Sequence, residues 1–270
     1  MASKIAAIQL CSSDNVDKNL TVVASLIAEA AQEGAVLCVL PEMFAIIGNN
    51  ASDKVSAKEV FSSGKIQDFL SAQAKKFNIW IVGGTIPIVC DQPEKVKAAC
   101  IVYDNFGKVV ARYDKIHLFD VILSDTESYK ESDTTEPGDA TVVVDTPVGR
   151  LGLAVCYDIR FPELFMELVN KGAEIIAIPS AFTVKTGEAH WQLLVRARAV
   201  DTFCYIIGSA QGGTHNNLRQ TYGHTLITDP WGTIISEISE SGNGIAYADI
   251  DLKKLHDIRE MIPVHSVASR

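Results

Sequence analysis

The chain has 270 residues, 47% of them hydrophobic, which is ample for a large buried core. Charged residues make up 21% and are spread along the chain, so no stretch has the composition of a disordered segment. A formal net charge of −9 lacks the basic footprint that nucleic acid or an anionic membrane would need, so any anionic ligand must be met by local cations.

The first apolar run, Ile5–Leu10, reads as a strand closed by Cys11, Ser12, Ser13 and Asp14. It is too short for a signal-peptide core, and nowhere do eighteen apolar residues run together, so the expectation is a soluble cytoplasmic protein. Asn19–Glu33 carries Leu20, Val23, Ala24, Ile27 and Ala31 on one helical face, with Gly34 as its stop. Val36–Leu40 is a strand broken at Pro41, Ile66–Phe77 a helix, and Ile79–Val82 a strand ending at Gly83-Gly84. Ala99–Tyr103 and Lys108–Tyr113, separated by Asp104-Asn105-Phe106-Gly107, form a predicted hairpin. Asp120–Asp139 is polar and acidic and reads as a long loop, of the kind that is often functional.

Beyond it come strands at Val142–Val144 and Leu151–Val155, then a helix opening at Phe161-Pro162-Glu163 and a strand at Glu174–Ile178. A helix over Glu188–Thr202 and a strand at Tyr205–Gly208 follow. Strands at Thr225–Thr228, Thr233–Ser236 and Ile245–Ala248 precede a last helix from Leu252. Strand–helix alternation implies βαβ units, and the hairpins imply antiparallel additions to the same sheet. No linker or repeat divides residues 1–270, so the reading is one α/β domain.

Three places carry chemistry. In Leu151–Glu163 a buried strand ends at Cys156, turns, and enters a helix with Pro162 in its first turn. Such a turn displays a side chain at the carboxyl end of a strand, where backbone N–H groups can hold an oxyanion and a nearby positive charge would lower the thiol pKa. The alternative for Cys156 is an inert core cysteine, as the other five scattered cysteines read, with no disulfide or metal spacing. Glu42 follows the Val36–Leu40 strand, at the sheet edge where ligands gather. It is either a solvated carboxylate or, beside a thiol, a general base. Lys115 follows the next hairpin among Ile116, Leu118 and Phe119, which favours partial burial over an ordinary surface position.

Leu40-Pro41-Glu42, Tyr113-x-Lys115-x-His117-Leu118 and Cys156-Tyr157-Asp158-x-Arg160-Phe161-Pro162-Glu163 stand in the order and spacing of the nitrilase superfamily of carbon–nitrogen hydrolases, which this chain resembles from its first strand to Asp229-Pro230-Trp231-Gly232. The resemblance implies a four-layer α-β-β-α sandwich, a homo-oligomer such as a homodimer, and a Glu–Lys–Cys triad falling on Glu42, Lys115 and Cys156. It further implies catalytic support from Glu131 (otherwise an exposed loop carboxylate) and from the backbone near Tyr157. The implied reaction is acyl transfer through a thioester, on a small-molecule amide and with no cofactor.

Around Pro179–Thr183, Ala189-His190-Trp191, Arg196–Val200, Ala210–His215 and Tyr222-Gly223-His224, the chain is similar to the branch acting on deaminated glutathione. The runner-up is ω-amidase action on α-keto acid amides such as α-ketoglutaramate. The chain departs from that branch in the loop Ser124–Ser132 and in the tail ending at Arg270.

Arg160, Phe182, Thr183, His215 and Arg219 are the candidate substrate contacts. Arg160 offers a fork for a carboxylate or, alternatively, a salt bridge at the helix start. His215 and Arg219 either cover the pocket mouth or are solvated loop residues. Arg196 and Arg198 read as braces of the fold, and Trp191 and Trp231 as core residues.

No metal is expected, because the six histidines show no H-E-x-x-H or i, i+4 pair. Neither G-x-G-x-x-G nor a Walker sequence appears, so no nucleotide cofactor is expected either. A non-catalytic interaction protein on the same scaffold is the competing class. A reactive-thiol trap with a probe amide separates the two.

Overall fold

The computed structural model describes residues 3–125, 127–216 and 218–263, which leaves the tail with His265 and Arg270 outside the described residues. The first half of the chain runs β1 (Ser3–Gln9), α1 (Val16–Gln32), β2 (Leu37–Val39), the short α2 (Asp53–Ser56), α3 (Lys65–Phe77), β3 (Trp80–Val89), β4 (Val96–Tyr103) and β5 (Val109–Asp114). A small ribbon of β6 (Asp120–Ser124) and β7 (Glu127–Lys130) follows.

The second half runs β8 (Val142–Thr146), β9 (Gly149–Leu153), α4 (Pro162–Asn170), β10 (Ile175–Ala177), α5 (Val184–Thr202) and β11 (Tyr205–Gly208). A second ribbon, β12 (Gly212–Thr214) with β13 (Gln220–Tyr222), precedes β14 (Leu226–Thr228), β15 (Ile234–Glu237), β16 (Gly244–Ile250) and α6 (Leu252–Met261).

Two six-stranded sheets result, in the orders β16-β1-β2-β3-β4-β5 and β15-β14-β11-β10-β9-β8. The alternation alone had placed these strands in one sheet. What divides them is that the strands are apolar on both faces. Ile5, Ala7, Leu37 and Val39 point to one side and share a core with Leu151, Leu153 and Ala177 of the other sheet. Ala6, Ile8, Cys38 and Leu40 point to the opposite side, into a core with Leu20, Val23, Ile27 and Leu70 of α1 and α3. The period of two thus fills two cores at once. Leu164, Leu168 and Val195 of α4 and α5 complete the layers on the far side of the second sheet. The fold is the four-layer α-β-β-α sandwich that the resemblance implies.

Two further differences from the sequence reading bear on the site. β3 does not stop at Gly83-Gly84 but runs on to Val89, with a register shift between Gly83 and Ile86. Gly84 has φ +35°, and a Cβ there would lie 2.0 Å from the Pro41 carbonyl oxygen. The glycine therefore lets the strand pass against the turn that carries Glu42. Asp120–Asp139 is also not a bare loop. It folds into the β6–β7 ribbon and a 3₁₀ turn at Glu131–Asp133, because Val121 and Tyr129 pair across the ribbon while the acidic positions stay outside the ladder's core.

Candidate active site

Glu42 lies just past β2, Lys115 just past β5, Cys156 just past β9, and Glu131 in the 3₁₀ turn after the β6–β7 ribbon. The Lys115 ammonium, 1% exposed, donates to Glu42 Oε1 and to Glu131 Oε2, each at 2.8 Å. Phe119 N–H donates to the same Glu131 oxygen at 2.7 Å, which fixes the carboxylate from the backbone. Burial opposes the charge on Lys115, but Glu131, Glu42 and the Cys156 thiol outweigh it and hold its pKa well above that of an ordinary lysine. Burial likewise works against Glu131, yet Lys115 and Lys54 keep its carboxyl below the usual range.

Cys156 sits at φ +49°, a left-handed conformation uncommon for a non-glycine residue, at the start of a 3₁₀ turn over Cys156–Arg160. Its N–H donates to Pro179 O at 2.9 Å. The thiol lies against the Glu42 carboxylate and the Ala181 backbone N–H. Burial and the Glu42 charge push it well above its ordinary pKa, against the pull of Lys115. The expected cation, Lys115, does pull the thiol down, but burial and the Glu42 charge outweigh it. A carboxylate stands beside the sulfur, and the nearest cation is already shared between two carboxylates.

Asp158 locks the two segments together. Its fully buried carboxylate accepts from Val155 N–H at 2.8 Å, His117 N–H at 3.0 Å and Tyr113 Oη at 2.7 Å, and lies 2.7 Å from His117 Nδ1. His117 in turn stacks on Phe161, ring centroids 3.6 Å apart. One carboxylate thus binds the residue before Cys156 and both neighbours of Lys115 in the Tyr113-x-Lys115-x-His117 motif.

These groups open onto a cavity of about 540 Å³ lined by Glu42, Lys115, Glu131, Cys156, Tyr157 and Phe182, among others. Arg219 also lines it, lying over the Tyr129 ring and donating from Nη2 to Ala181 O at 3.3 Å.

Three sequence candidates lie elsewhere. Arg160 is not on the cavity wall: it lies over the rings of Tyr157 and Phe182 and reaches His190 Nδ1 at 3.3 Å. His215 is buried, with its ring nitrogens 2.8 Å from Ser12 O and 2.8 Å from Thr221 Oγ1, so it braces the β12–β13 ribbon. Thr183 caps α5 by accepting from Thr186 N–H, and Thr186 is the residue that meets the cavity. Sequence reasoning missed Lys54, Asn49 and Asn50 on the wall formed by the segment around α2. Their only signal is a polar stretch that begins at Gly48, past the apolar run from Met43 to Ile47 that follows Glu42.

The family model for carbon-nitrogen hydrolases matches residues 4–260, nearly all of the described chain. The chain belongs to the carbon–nitrogen hydrolase family. It is a hydrolase of carbon–nitrogen bonds other than peptide bonds. Over 264 residues it is 40% identical to a deaminated glutathione amidase of Yersinia enterocolitica, covering 97% of this chain and 91% of that one.

Among solved structures it is similar to the Caenorhabditis elegans NitFhit protein, with TM-score 0.90 and 34% identity over 98% of this chain. This hydrolase spans 64% of the NitFhit chain. It also superimposes on Saccharomyces cerevisiae Nit3, a member of branch 10 of the nitrilase superfamily, with TM-score 0.87 and 34% identity, covering 97% of this chain and 94% of the other. Among the described residues, no helix is long and apolar enough to cross a membrane.

Proposed function

We propose that this hydrolase is a cysteine amidase whose substrate is deaminated glutathione, with Glu42, Lys115 and Cys156 as its catalytic groups and Glu131 and Tyr157 in support. The observation that carries this reading is the Lys115 ammonium held between Glu42 and Glu131 on the wall of a cavity that Cys156 also lines.

Because the thiol is held protonated at rest, it needs a base at the moment of attack, and the adjacent Glu42 carboxylate takes its proton as sulfur bonds to the amide carbonyl. The carbonyl oxygen becomes an oxyanion beside Lys115 and the backbone N–H of Tyr157. Collapse breaks the carbon–nitrogen bond, and Glu42 delivers the proton to the leaving amine. Glu42 then deprotonates a water that attacks the thioester, and the sulfur leaves with a proton again. Glu131 neutralises Lys115 and fixes its direction.

The substrate follows from two supports. Curated relatives at about 40% identity carry that activity in their names. The cavity wall also bears four cations (Lys54, Lys115, Lys130 and Arg219) against two carboxylates, in a chain of formal net charge −9. A surplus of positive charge inside an acidic protein suits a substrate with two terminal carboxylates.

Steady-state kinetics test the assignment. Deaminated glutathione should be turned over with a kcat/KM above that for α-ketoglutaramate, and Cys156→Ala should abolish turnover while leaving the fold intact. Comparable turnover by Cys156→Ala would remove the nucleophile assignment. A higher kcat/KM for α-ketoglutaramate would move the substrate to the smaller amide.

We read the chain further as one domain that works as a cytoplasmic homodimer. Leu193 and Val200 are exposed on one face of α5, and Val200 and Arg196 pack against Gly232, next to the exposed Trp231. That apolar strip suits a second copy of the chain. Light scattering should give twice the chain mass, and Leu193→Glu should halve it.

A further inference from the structure

Lys54 has no part in the chemistry derived above, yet it stands on the cavity wall. It projects from α2, in the segment that follows the Glu42 turn, and its side chain is half-buried. Its ammonium donates to Thr135 Oγ1 at 2.6 Å, and among the described residues no carboxylate forms an ion pair with it. By contrast Lys130, on the same wall, pairs with Asp133 at 3.1 Å and is 69% exposed. Burial holds the Lys54 pKa below that of an ordinary lysine; Glu131 is its strongest charged support, and Lys115 and Arg219 repel it. A partly desolvated ammonium with a neutral hydroxyl as its partner is an ion pair with one half missing, and the side facing the cavity is where an anion would complete it.

The position of Lys54 says which anion. Thr135, which accepts from Lys54, donates its own N–H to Glu131 O at 2.9 Å, and Glu131 holds Lys115 on the same cavity wall, so Lys54 lies near the reaction centre. A substrate whose carbonyl meets Cys156 beside Lys115 therefore reaches Lys54 with a carboxylate only a few carbons away, on its acyl part. Arg219 lies instead beside Leu218, which is 81% exposed, and over Tyr129, at the cavity mouth.

We infer that Lys54 binds the carboxylate of the substrate's acyl part, and so selects monoamides of short dicarboxylic acids over neutral amides of the same length. The inference rests on the amidase reading and adds the residue that sets its acyl specificity. Arg219 is left to the leaving-group end, so Lys54 acts on large and small amides of this class alike.

Binding separates this from turnover. In the Cys156→Ala protein, calorimetric Kd values are measured for glutaramate and for pentanamide, which has the same length without the carboxylate. Glutaramate should bind more tightly. Adding Lys54→Gln, which keeps a reach to Thr135 and removes the charge, should weaken glutaramate about 10–100-fold and collapse the ratio between the two ligands. Glutaramate binding unchanged in Lys54→Gln, or an equal loss for both ligands, would overturn the inference. If Lys54→Gln does not fold, Lys54→Arg gives the same comparison: its longer fork should shift the Kd of glutaramate and not that of pentanamide, and equal shifts would count against the assignment. Failure of the cysteine enzyme to hydrolyse deaminated glutathione would remove that substrate while leaving the Lys54 result to stand or fall by itself.

Discussion

At the scale of single residues, the Cys156 thiol behaves against the common pattern of activated cysteines. Burial and the Glu42 charge hold it protonated, so the proposed mechanism needs a base acting in step with attack and not a stored thiolate. This makes two opposite predictions for one substitution. Glu42→Gln removes the charge that raises the thiol, so the pH midpoint of Cys156 alkylation, followed by mass spectrometry of its peptide, should move down. Turnover by the same variant should fall by about 10²–10⁴-fold, because the base is gone. An unmoved midpoint with lost turnover would mean that Glu42 does not set the state of the sulfur.

Glu42, Lys115 and Cys156 were legible as a set because each stands at a strand end inside a short motif, and strand ends are readable from apolar runs. Arg160 misled for a related reason. Its distance from Cys156 along the chain is readable, but the direction of its side chain depends on Tyr157 and Phe182, which only the folded turn brings beneath it. Lys54 left only a faint trace, since a lysine in a polar stretch becomes unusual only when the fold buries it.

At the scale of elements, the Lys115 segment and the Cys156 turn are separate pieces held together by Asp158. Replacing Asp158 with Ala leaves buried donors on Tyr113, Val155 and His117 without their acceptor, which should cost about 3 kcal/mol or more in urea denaturation. Lys115→Met should be worse at high pH than at low pH. It leaves Glu42 and Glu131 as buried like charges, a loss of about 3–5 kcal/mol while both are ionised. Lys115 is the main charge that keeps the Glu131 carboxyl low; without it the folded-state pKa of Glu131 rises above the unfolded one, so the loss shrinks as pH falls and Glu131 takes up a proton. Denaturation at pH 5 and pH 8 checks the sign.

The sequence located most helices and strands because their apolar periods are strong. It stopped β3 early because paired glycines look like an end, whereas here Gly84 makes room for Pro41. It read the β6–β7 ribbon as loop because that ribbon buries little and leaves Ile122 exposed, so it carries no alternation of apolar residues.

At the scale of the whole molecule, an acidic body surrounds a cavity rich in cations. Salt should therefore raise the KM of an anionic amide far more than that of a neutral one, as screening weakens attraction over about 8–10 Å at 0.10–0.15 M ionic strength. Equal salt effects on the two would argue against an electrostatic role for the cavity. The site also joins the two halves of the chain: Glu42 and Lys115 hang from the first sheet, and Cys156 from the second. The first sheet itself is closed by β16, which pairs with β1 along its whole length, from Ser3 opposite Ile250 to Gln9 opposite Gly244. During translation, then, β1 emerges early and waits for a neighbour far along the chain. A chain made only as far as β15 has an unfinished sheet beneath Glu42 and Lys115. Contacts of such long sequence separation also make for slow folding, and the interval before β16 arrives is when β1 lies open to chaperones or to the wrong strand.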